Sequence, residues 1–563
     1  MSTATATDDT LEAGDADVDM YVLEGPERPA PPDEPLGDVI FAALRSHAKQ
    51  AARNAQVDAA TGAAMSFHDL LEDSVRVAEG LRAKKLCAGH VVAVSSAPVA
   101  DLYPAIMGAV WLGLTIMPTD PNASASELKS QLQVCKPRAV FAEPRTLAKV
   151  HAALQGAPRQ VPVIVLNQDD VPAKLVRAGD VAYEDLLQAV PTATADLFTP
   201  PVIARLDDHV PFILGGLGAA GQPRCAMLSN KRAFVLLDQF REPLPDAPGV
   251  SFMASRPLSC LAGVFSLLRC CWAGHTVVSL NDQEGPVLGL LAALEKNGVS
   301  HWLAQPALVR AVAEHASLAK FNLKALTAVL LDGDALPADL HVRAQQALAV
   351  RLQALYCVPE AGMLLFNRDA KPGSVGRVCP GTKLKIVDTI SEEDLEAKEC
   401  GELRSKSATF LKGYVGDPEA TAALFDERGW FCTGDVMRYD EEGYFYFMEK
   451  LSESIQCAGT AVPAKELEDV IRTHAAVRDV AVLGRPDSEA GEVPMAFVVL
   501  EPGVVATKQE IVQLVKDKLP ANKQLRGGVE FLDALPRTTS GKLSGRQLRD
   551  RMPRRSVVGS AFS

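Results

Sequence analysis

The sequence predicts an α/β protein of two or more domains, and three observations support this prediction. The chain has 563 residues, which is too long for one ordinary hydrophobic core. Hydrophobic residues make up 48% of it and charged residues 23%, as in folded globular proteins. Short apolar runs alternate with segments of helical spacing through most of the chain. We therefore expect a large N-terminal domain of stacked mixed and parallel sheets with helices.

The apolar runs of this domain have strand length and are separated by helical stretches. They are Val91–Val94, Thr115–Met117, Ala139–Phe141, Val161–Leu166, Thr276–Val278 and Ala328–Leu331. Runs that are apolar at every position predict strands buried on both faces, as in parallel sheets. Leu102–Thr119 carries no charge, but its prolines and glycines favour a buried helix, turn and strand over a membrane span. We predict no transmembrane segment.

Near residue 370 the pattern changes to antiparallel strands joined by polar turns, which predicts a β-rich subdomain. Its strands are expected within Ser374–Val387, Gly401–Arg404 and Tyr444–Phe447. A smaller α+β unit follows Glu449, with its elements predicted at Pro463–His474, Val480–Leu483, Met495–Leu500 and Lys508–Leu519. We place the N-terminal domain at residues 36–449, the C-terminal domain at 450–550 and a final tail at 551–563.

Most of the negative charge lies at the N-terminus. The formal net charge is −13, and residues 1–38 hold eleven acidic residues and one arginine, so the remaining chain carries only −3. A segment rich in Ala, Pro and Asp cannot bury enough apolar surface to fold, so we predict a disordered acidic tail at residues 1–35. The nearly neutral body has no charge pattern for nucleic acid, and protein partners remain unknown at this level.

The cysteines and the chain ends predict a cytoplasmic protein. The eleven cysteines include no Cys-x-x-Cys pair, which favours reduced thiols. The N-terminus has no basic region followed by an apolar core, so no signal peptide is predicted. The chain ends in Ala561-Phe562-Ser563 and has no peroxisomal Ser-Lys-Leu.

Two motifs about a hundred residues apart carry the strongest functional signal. They are Gly429-Trp430-Phe431-Cys432-Thr433-Gly434-Asp435 and Leu535-Pro536-Arg537-Thr538-Thr539-Ser540-Gly541-Lys542-Leu543. In this order they resemble the closing motifs of the adenylate-forming, AMP-binding superfamily, in the branch of acyl-CoA synthetases, 4-coumarate-CoA ligases and beetle luciferases. Lys371–Arg377 and Gln524–Val529 look like the same branch, and the resemblance covers roughly residues 35–550.

The resemblance implies a large N-terminal domain and a small mobile C-terminal lid. It also implies a two-step reaction, in which an acid and ATP form an acyl-adenylate and pyrophosphate before a thiol, usually CoA, takes the acyl group. The expected ligands are therefore ATP, Mg²⁺, CoA and a small-molecule carboxylic acid.

The expected phosphate-binding loop lies within Phe212–Cys225 and departs from the family pattern. Gly218 and Gly221 allow backbone N–H groups to approach phosphate oxygens. Arg224 replaces the usual lysine and keeps a cation for catalysis. Hydroxyl donors are absent where the family has serine and threonine, namely at Gly216, Leu217, Ala219 and Ala220. Each lost bond to a charged oxygen is worth about 1.5–3 kcal/mol.

The nucleotide site is expected from matches to further family motifs. Tyr356 would stack on adenine beside Gly333, and Glu360 would ligate Mg²⁺, which prefers carboxylate and phosphate oxygens. Asp435 would accept the ribose hydroxyls, and Lys450 would reach the ribose. Cys357 and Pro359 depart from the family pattern, and Asp332 and Asp334 add carboxylates that are unfavourable for phosphates.

The lid matches the family in part. Lys542 resembles the lysine that contacts the acyl carboxylate and α-phosphate, where a cation offsets developing charge. The family has a Lys-x-Lys-Gly segment beside the CoA channel. Gly459 matches its glycine, whereas Gln456 and Ala458 stand in place of its two lysines.

The acid pocket is expected at Cys260 and Gly263, where the family has an aromatic-His-x-x-Gly segment. Its small apolar lining suggests a fatty or aromatic acid. The sequence leaves two functions open. One is an active acid–CoA ligase, and the other is a pseudoenzyme of the same fold that binds acyl or nucleotide ligands without turnover.

Overall fold

Four β-sheets organise the chain in the computed structural model. The model describes residues 21–28, 30–50, 53–157, 159–167, 175–190, 193–217, 223–280, 287–333, 336–389, 391–407, 410–457, 460–487, 489–520, 523–536 and 545–552.

The strands are short and run through the whole described chain. They are β1 (Leu23–Glu24), β2 (Asn54–Asp58), β3 (Ala64–Ser66), β4 (Val91–Ser95), β5 (Thr115–Pro118), β6 (Ala139–Ala142), β7 (Val163–Val165), β8 (Val181–Ala182), β9 (Phe212–Leu217), β10 (Pro223–Leu228), β11 (Ser251–Ala254), β12 (Thr276–Ser279), β13 (His301–Ala304), β14 (Ala328–Asp332), β15 (Arg351–Val358), β16 (Gly362–Phe366), β17 (Arg377–Val378), β18 (Thr382–Val387), β19 (Gly401–Ser407), β20 (Gly413–Tyr414), β21 (Phe431–Tyr439), β22 (Phe445–Lys450), β23 (Ile455–Cys457), β24 (Thr460–Val462), β25 (Val477–Asp487), β26 (Gly491–Leu500) and β27 (Gly528–Phe531).

The helices separate most of these strands. They are α1 (Leu36–Ala48), α2 (Phe67–Ala83), α3 (Leu102–Trp111), α4 (Ala125–Cys135), α5 (Pro144–Ala153), α6 (Tyr183–Gln188), α7 (Asn230–Gln239), α8 (Leu261–Ala273), α9 (Leu288–Lys296), α10 (Pro306–Ala313), α11 (Ala338–Leu348), α12 (Pro418–Ala422), α13 (Ala464–Arg472), α14 (Lys508–Lys518) and α15 (Gly545–Arg551). Local sequence explains several starts, because Ser66, Ser124 and Thr507 form capping boxes at α2, α4 and α14.

Strands β2–β17 and β20 form two large mixed sheets. One has eight strands in the order β20-β10-β9-β5-β4-β6-β7-β8, and the other has nine in the order β17-β16-β15-β14-β13-β11-β12-β2-β3. The central strands of both sheets pair in parallel. Antiparallel pairs lie at both edges of the nine-stranded sheet and at the β20-β10-β9 edge of the eight-stranded sheet, whose other edge, β7-β8, is parallel. This architecture confirms the predicted α/β class of stacked mixed and parallel sheets.

Alternate strand residues face different helical layers. Val92 of β4 packs in the largest core with α3 and α8, whereas Ala93 packs in a second core with α4 and α5. In the nine-stranded sheet, Leu330 joins that largest core, and Val329 faces α9, α10 and α11. The largest core therefore lies between the two sheets, since successive strand residues point to opposite faces.

The uncharged segment predicted as buried core forms α3 and β5. Every residue of α3 is buried. No helix among the described residues is long and apolar enough to cross a membrane. The strand predicted at Val161–Leu166 is shorter in the structure, because Pro162 has no backbone N–H to donate.

The predicted β-rich subdomain is a five-stranded sheet in the order β1-β18-β19-β21-β22. Its edge strand β1 pairs Leu23 with Leu384. The disordered tail predicted over residues 1–35 therefore extends too far, because Leu23 and Glu24 lie in a sheet and Arg28 pairs with Asp238 at 2.8 Å. Residues 1–20 lie outside the described chain.

The C-terminal unit has its own sheet and core. Strands β24, β23, β26 and β25 pair in that order, and β27 adds in parallel to β26. Its core joins α13 and α14 to this sheet through Leu467, Ile471 and Ile511. The hairpin of β23 and β24, the strand β27 and the helix α15 were not predicted from the sequence.

Candidate functional site

A cavity of about 390 Å³ opens at the carboxyl ends of the parallel strands in the nine-stranded sheet. Asp332 ends β14, and Tyr356 and Cys357 lie near the end of β15. Asp435 and Lys450 reach the same cavity from the five-stranded sheet. This edge is where open α/β sheets commonly bind ligands.

Asp435 is the centre of the first side-chain cluster on the cavity. Tyr356 donates its hydroxyl hydrogen to Asp435 Oδ2 at 2.6 Å, and Lys450 Nζ donates to Oδ1 at 3.0 Å. The register of β21 and β22 places Asp435 directly opposite Lys450. Burial, followed by the charge of Asp435, raises the pKa of Tyr356 well above its ordinary value. The carboxylate is therefore held by two donors in a buried position, and three predicted nucleotide residues lie together.

Gly333 lines the same cavity directly after β14. Its φ of +126° lies in a region that side chains rarely adopt, so glycine is required here by backbone conformation. A Cβ would meet no atom closer than 3.8 Å, so the requirement does not come from crowding.

A second cluster joins two further predicted residues through one that the sequence analysis missed. The Tyr414 hydroxyl donates to Glu360 Oε1, and the guanidinium carbon of Arg224 lies 5.5 Å from the centroid of the Tyr414 ring. Burial raises the pKa of Tyr414, and the Glu360 carboxylate raises it further. Tyr414 belongs to the short strand β20, which pairs with β10 beside the predicted phosphate loop. An aromatic residue following Gly413 was the only sequence signal for it.

Glu360 fits a magnesium ligand in one respect. Mg²⁺ is commonly held by one or two protein carboxylates, with phosphate oxygens and water completing its shell. Among the described residues there is no group of three or more His, Cys, Asp or Glu that could hold a metal alone. A metal at Glu360 would therefore depend on the phosphates of a bound nucleotide.

Cys260 is both a cavity residue and the N-cap of α8. Its Sγ donates to the Pro257 carbonyl at 3.1 Å and accepts from the Gly263 N–H at 3.3 Å. Burial, assisted by Asp332, raises the pKa of the Cys260 thiol to about 11, so the thiol is protonated at neutral pH. Gly263 lines a smaller apolar cavity of about 30 Å³, and a Cβ there would lie 2.2 Å from the Pro257 oxygen.

The cavity also contains an ion pair that the sequence analysis did not predict. Arg256 Nε donates to Asp332 Oδ2 at 2.7 Å, and their side chains are only 15% and 10% exposed. Burial raises the pKa of Asp332, and the Arg256 guanidinium opposes that shift. The Asp332 carboxylate, which we expected to be unfavourable for phosphates together with Asp334, is balanced by this adjacent cation, and Asp334 lies outside the described residues.

Four predicted site residues lie outside the described residues. They are Lys542, Gly218, Gly221 and Gly459. Their roles stay predictions from the family resemblance.

Comparison with known proteins identifies the family. The model of the AMP-binding enzyme family matches residues 44–415, and the model of the AMP-binding enzyme C-terminal domain matches residues 466–542. The chain is 30% identical to 4-coumarate–CoA ligase-like 6 of Oryza sativa subsp. japonica over 556 residues, covering 92% of this chain and 88% of the relative. It is 27% identical to luciferin 4-monooxygenase of Photinus pyralis over 533 residues, covering 92% and 94%.

Solved structures show the same fold. ATP-bound MatB from Rhodopseudomonas palustris superposes with a TM-score of 0.73 at 23% identity, covering 91% of this chain and 98% of that one. The fatty acyl CoA synthetase of Mycobacterium tuberculosis gives a TM-score of 0.72 at 24% identity, covering 91% and 97%. From its cavity, its two-part architecture and these matches, the chain is a member of the adenylate-forming AMP-binding enzyme family.

Proposed function

We propose that this protein is an ATP-dependent carboxylic acid–CoA ligase, which forms an acyl-adenylate and then a thioester. The observation that carries the proposal is one continuous cavity, lined both by the Asp435 cluster and by the Arg256–Cys260 segment. Such a cavity could hold a nucleotide and an acid in contact. Holding two reactants together supplies much of the rate enhancement of a bimolecular reaction.

The Asp435 cluster would bind the nucleoside. A carboxylate can accept from both hydroxyls of a ribose, and Lys450 and Tyr356 already orient its two oxygens. Lys450 Nζ could shift to a ribose oxygen when the sugar enters, because its side chain is 59% exposed. The partly buried Tyr356 ring lines the cavity and would offer an apolar face to a base.

In the first step, a carboxylate oxygen of the acid would bond to the α-phosphorus of ATP. The bond from that phosphorus to the β-phosphate oxygen would break, and pyrophosphate would leave. Cations stabilise the charge that grows on the phosphoryl oxygens. Arg224 would serve this role beside Tyr414 and Glu360, and Lys542 is expected to do so from the lid. Mg²⁺ held by Glu360 would neutralise part of the phosphate charge.

In the second step, the sulfur of CoA would bond to the acyl carbon of the adenylate. The bond from that carbon to the phosphate oxygen would break, AMP would leave, and the thiol proton would pass to solvent. From the family resemblance, we expect the C-terminal lid to move and to open a route for CoA past Gly459.

The test of the first step is pyrophosphate release from ATP and Mg²⁺ with a panel of fatty and aromatic acids, with CoA present. Asp435→Asn keeps the shape of the side chain and removes its charge, and we expect it to reduce release by at least about 100-fold. Asp339→Asn on the exposed face of α11 is the matched control. Absence of release with every acid, from folded protein, would refute ligase activity.

The alternative is a protein that binds the same ligands without turnover. The absent hydroxyls at Gly216 and Leu217 and the missing N–H of Pro359 favour it, because they remove donors to the pyrophosphate. This loss predicts that ATP raises the melting temperature less than AMP plus an acid does. Equal or greater protection by ATP would contradict the idea that the phosphate loop is weakened.

A further inference from the structure

The Arg256–Asp332 ion pair forms a polar part of the wall of the large cavity. Arg256 follows β11 and Asp332 ends β14, and the Nε–Oδ2 bond of 2.7 Å joins them. Both residues line the large cavity. Because the two carry opposite charges, this wall is polar but electrically balanced.

The pair and the Asp435 cluster line the same cavity at neighbouring positions of β15. Asp332, Cys260 and Arg256 all act electrostatically on Cys357, whereas Asp435 acts on the preceding Tyr356. The ladder of β15 with β16 is irregular between these two residues. A ligand whose carboxylate lies beside the nucleotide at the Asp435 cluster would present another part to Arg256 and Asp332.

The mutual bond leaves donors and an acceptor available. Only Nε of Arg256 and Oδ2 of Asp332 take part in it. Among the described residues, the other polar partner of these two side chains is the weakly polar Cys260 thiol, which lies beside both. The Cys260 hydrogen already points to the Pro257 carbonyl. The terminal Arg256 nitrogens and Asp332 Oδ1 are not among the buried atoms without a partner, and both residues line the cavity.

Charge balance decides which group fits there. A second carboxylate would be attracted by Arg256 but repelled by Asp332, and it would lose its hydration in a mostly buried place. A plain hydrocarbon would cover the open donors and leave them unsatisfied. A hydroxyl can accept from Arg256 and donate to Asp332 at once, and it carries no charge to desolvate.

We propose that Arg256 and Asp332 determine acid specificity by receiving a hydroxyl group remote from the reacting carboxylate. The substrate class is then a hydroxylated carboxylic acid, and neither an unsubstituted chain nor a diacid. This inference rests on the proposed ligase function and narrows the fatty or aromatic acid expected from the sequence.

The test uses straight-chain acids of matched length that end in methyl, hydroxyl or carboxylate. Pyrophosphate release gives kcat/KM for each acid with the full chain. We expect the hydroxyl-ended acid to exceed the methyl-ended acid by about 10- to 100-fold, since each unsatisfied buried group costs roughly one to two powers of ten. Equal or lower kcat/KM for the hydroxyl-ended acid at every length would overturn the proposal.

Two variants examine the pair directly. Arg256→Met with Asp332→Leu removes both charges, so no buried charge is left unpaired, and the hydroxyl preference should fall to near unity. Asp332→Asn alone keeps Arg256 cationic, and the carboxylate-ended acid should gain relative to the hydroxyl-ended one. The exposed Arg343–Asp339 pair of α11, changed to Met and Leu, is the matched control. An unchanged order of acids in both variants would show that the pair does not select.

A binding measurement distinguishes failure of this specificity proposal from failure of the ligase proposal. If the full chain releases no pyrophosphate with any acid, the ligase function fails while the pocket can still be tested. The hydroxyl-ended acid, with AMP present, should then raise the melting temperature more than the methyl-ended acid, and the double variant should lose this difference. Equal shifts for both acids would refute the specificity role alone.

Discussion

We expect the Glu449 carboxyl to make the stability of the junction between the two predicted domains depend on pH. It lies one residue before the end of β22, and its Oε2 accepts from the Ala464 N–H at 2.8 Å, where α13 begins. Its Oε1 is buried without a hydrogen-bond partner among the described residues. Burial is the main cause that raises the pKa of Glu449 from 4.5 to about 7, and nearby Glu468 also raises it. The Ser454 hydroxyl acts in the opposite direction and lowers the pKa.

The sign follows from the two protonation states. Below pH 4.5 the carboxyl is protonated in both the folded and the unfolded protein, so it does not lower the free energy of unfolding. Between pH 4.5 and about 7 the folded protein holds a proton that the unfolded chain has released, so stability falls as pH rises. Above about pH 7 the full penalty applies, and this difference in pKa corresponds to about 3 kcal/mol.

Glu449→Gln should remove this penalty because an amide carries no charge and can still accept from Ala464. We expect the variant to equal the parent at about pH 4.5 and to exceed it at pH 8 by up to about 3 kcal/mol. Calorimetric melting of the full chain at several pH values measures the difference. Hydrogen exchange at the start of α13 reports the junction itself.

Glu427→Gln, at an exposed position of the same sheet region, is the control and should show no such trend. A stability difference between Glu449→Gln and the parent that stays constant from pH 5 to pH 8 would refute the reasoning. So would a variant that is less stable at pH 8.

Three further changes address the site and its scaffold. Tyr414→Phe removes the hydroxyl that donates to Glu360. The Mg²⁺ concentration that gives half-maximal pyrophosphate release should then rise about 10-fold. An unchanged Mg²⁺ concentration would exclude metal binding at Glu360. Gly263→Ala places a Cβ against the Pro257 carbonyl and should destabilise the protein by about 1–3 kcal/mol in urea unfolding, and an unshifted midpoint would contradict this packing. Lys542→Ala should abolish adenylation while nucleotide affinity, measured by calorimetry, stays nearly unchanged; normal adenylation would remove Lys542 from catalysis.

Residues in continuous motifs were predictable because their partners are close in sequence. Asp435 and Lys450 are fifteen positions apart in one hairpin, so a turn between two strands brings them together. The apolar runs predicted strands for a similar reason. A run buried on both faces has few alternatives to a parallel sheet.

Residues that meet across the fold were not predictable in this way. Tyr414 reaches Glu360 from 54 positions away, and Arg256 reaches Asp332 from 76. Nothing local marks either pair, because each contact depends on which strands become neighbours in a sheet. Asp332 therefore looked like a stray negative charge in the sequence.

The sequence alone determined the α/β class, the order of the predicted domains and the family motifs, because hydrophobic period and motif order are properties of the chain itself. Only the tertiary structure decided which charges balance each other in the cavity. The pairing of Arg256 with Asp332 and the burial of Glu449 arise from packing between distant segments. Hydrogen bonding and desolvation depend on distances in space that the order of residues does not contain.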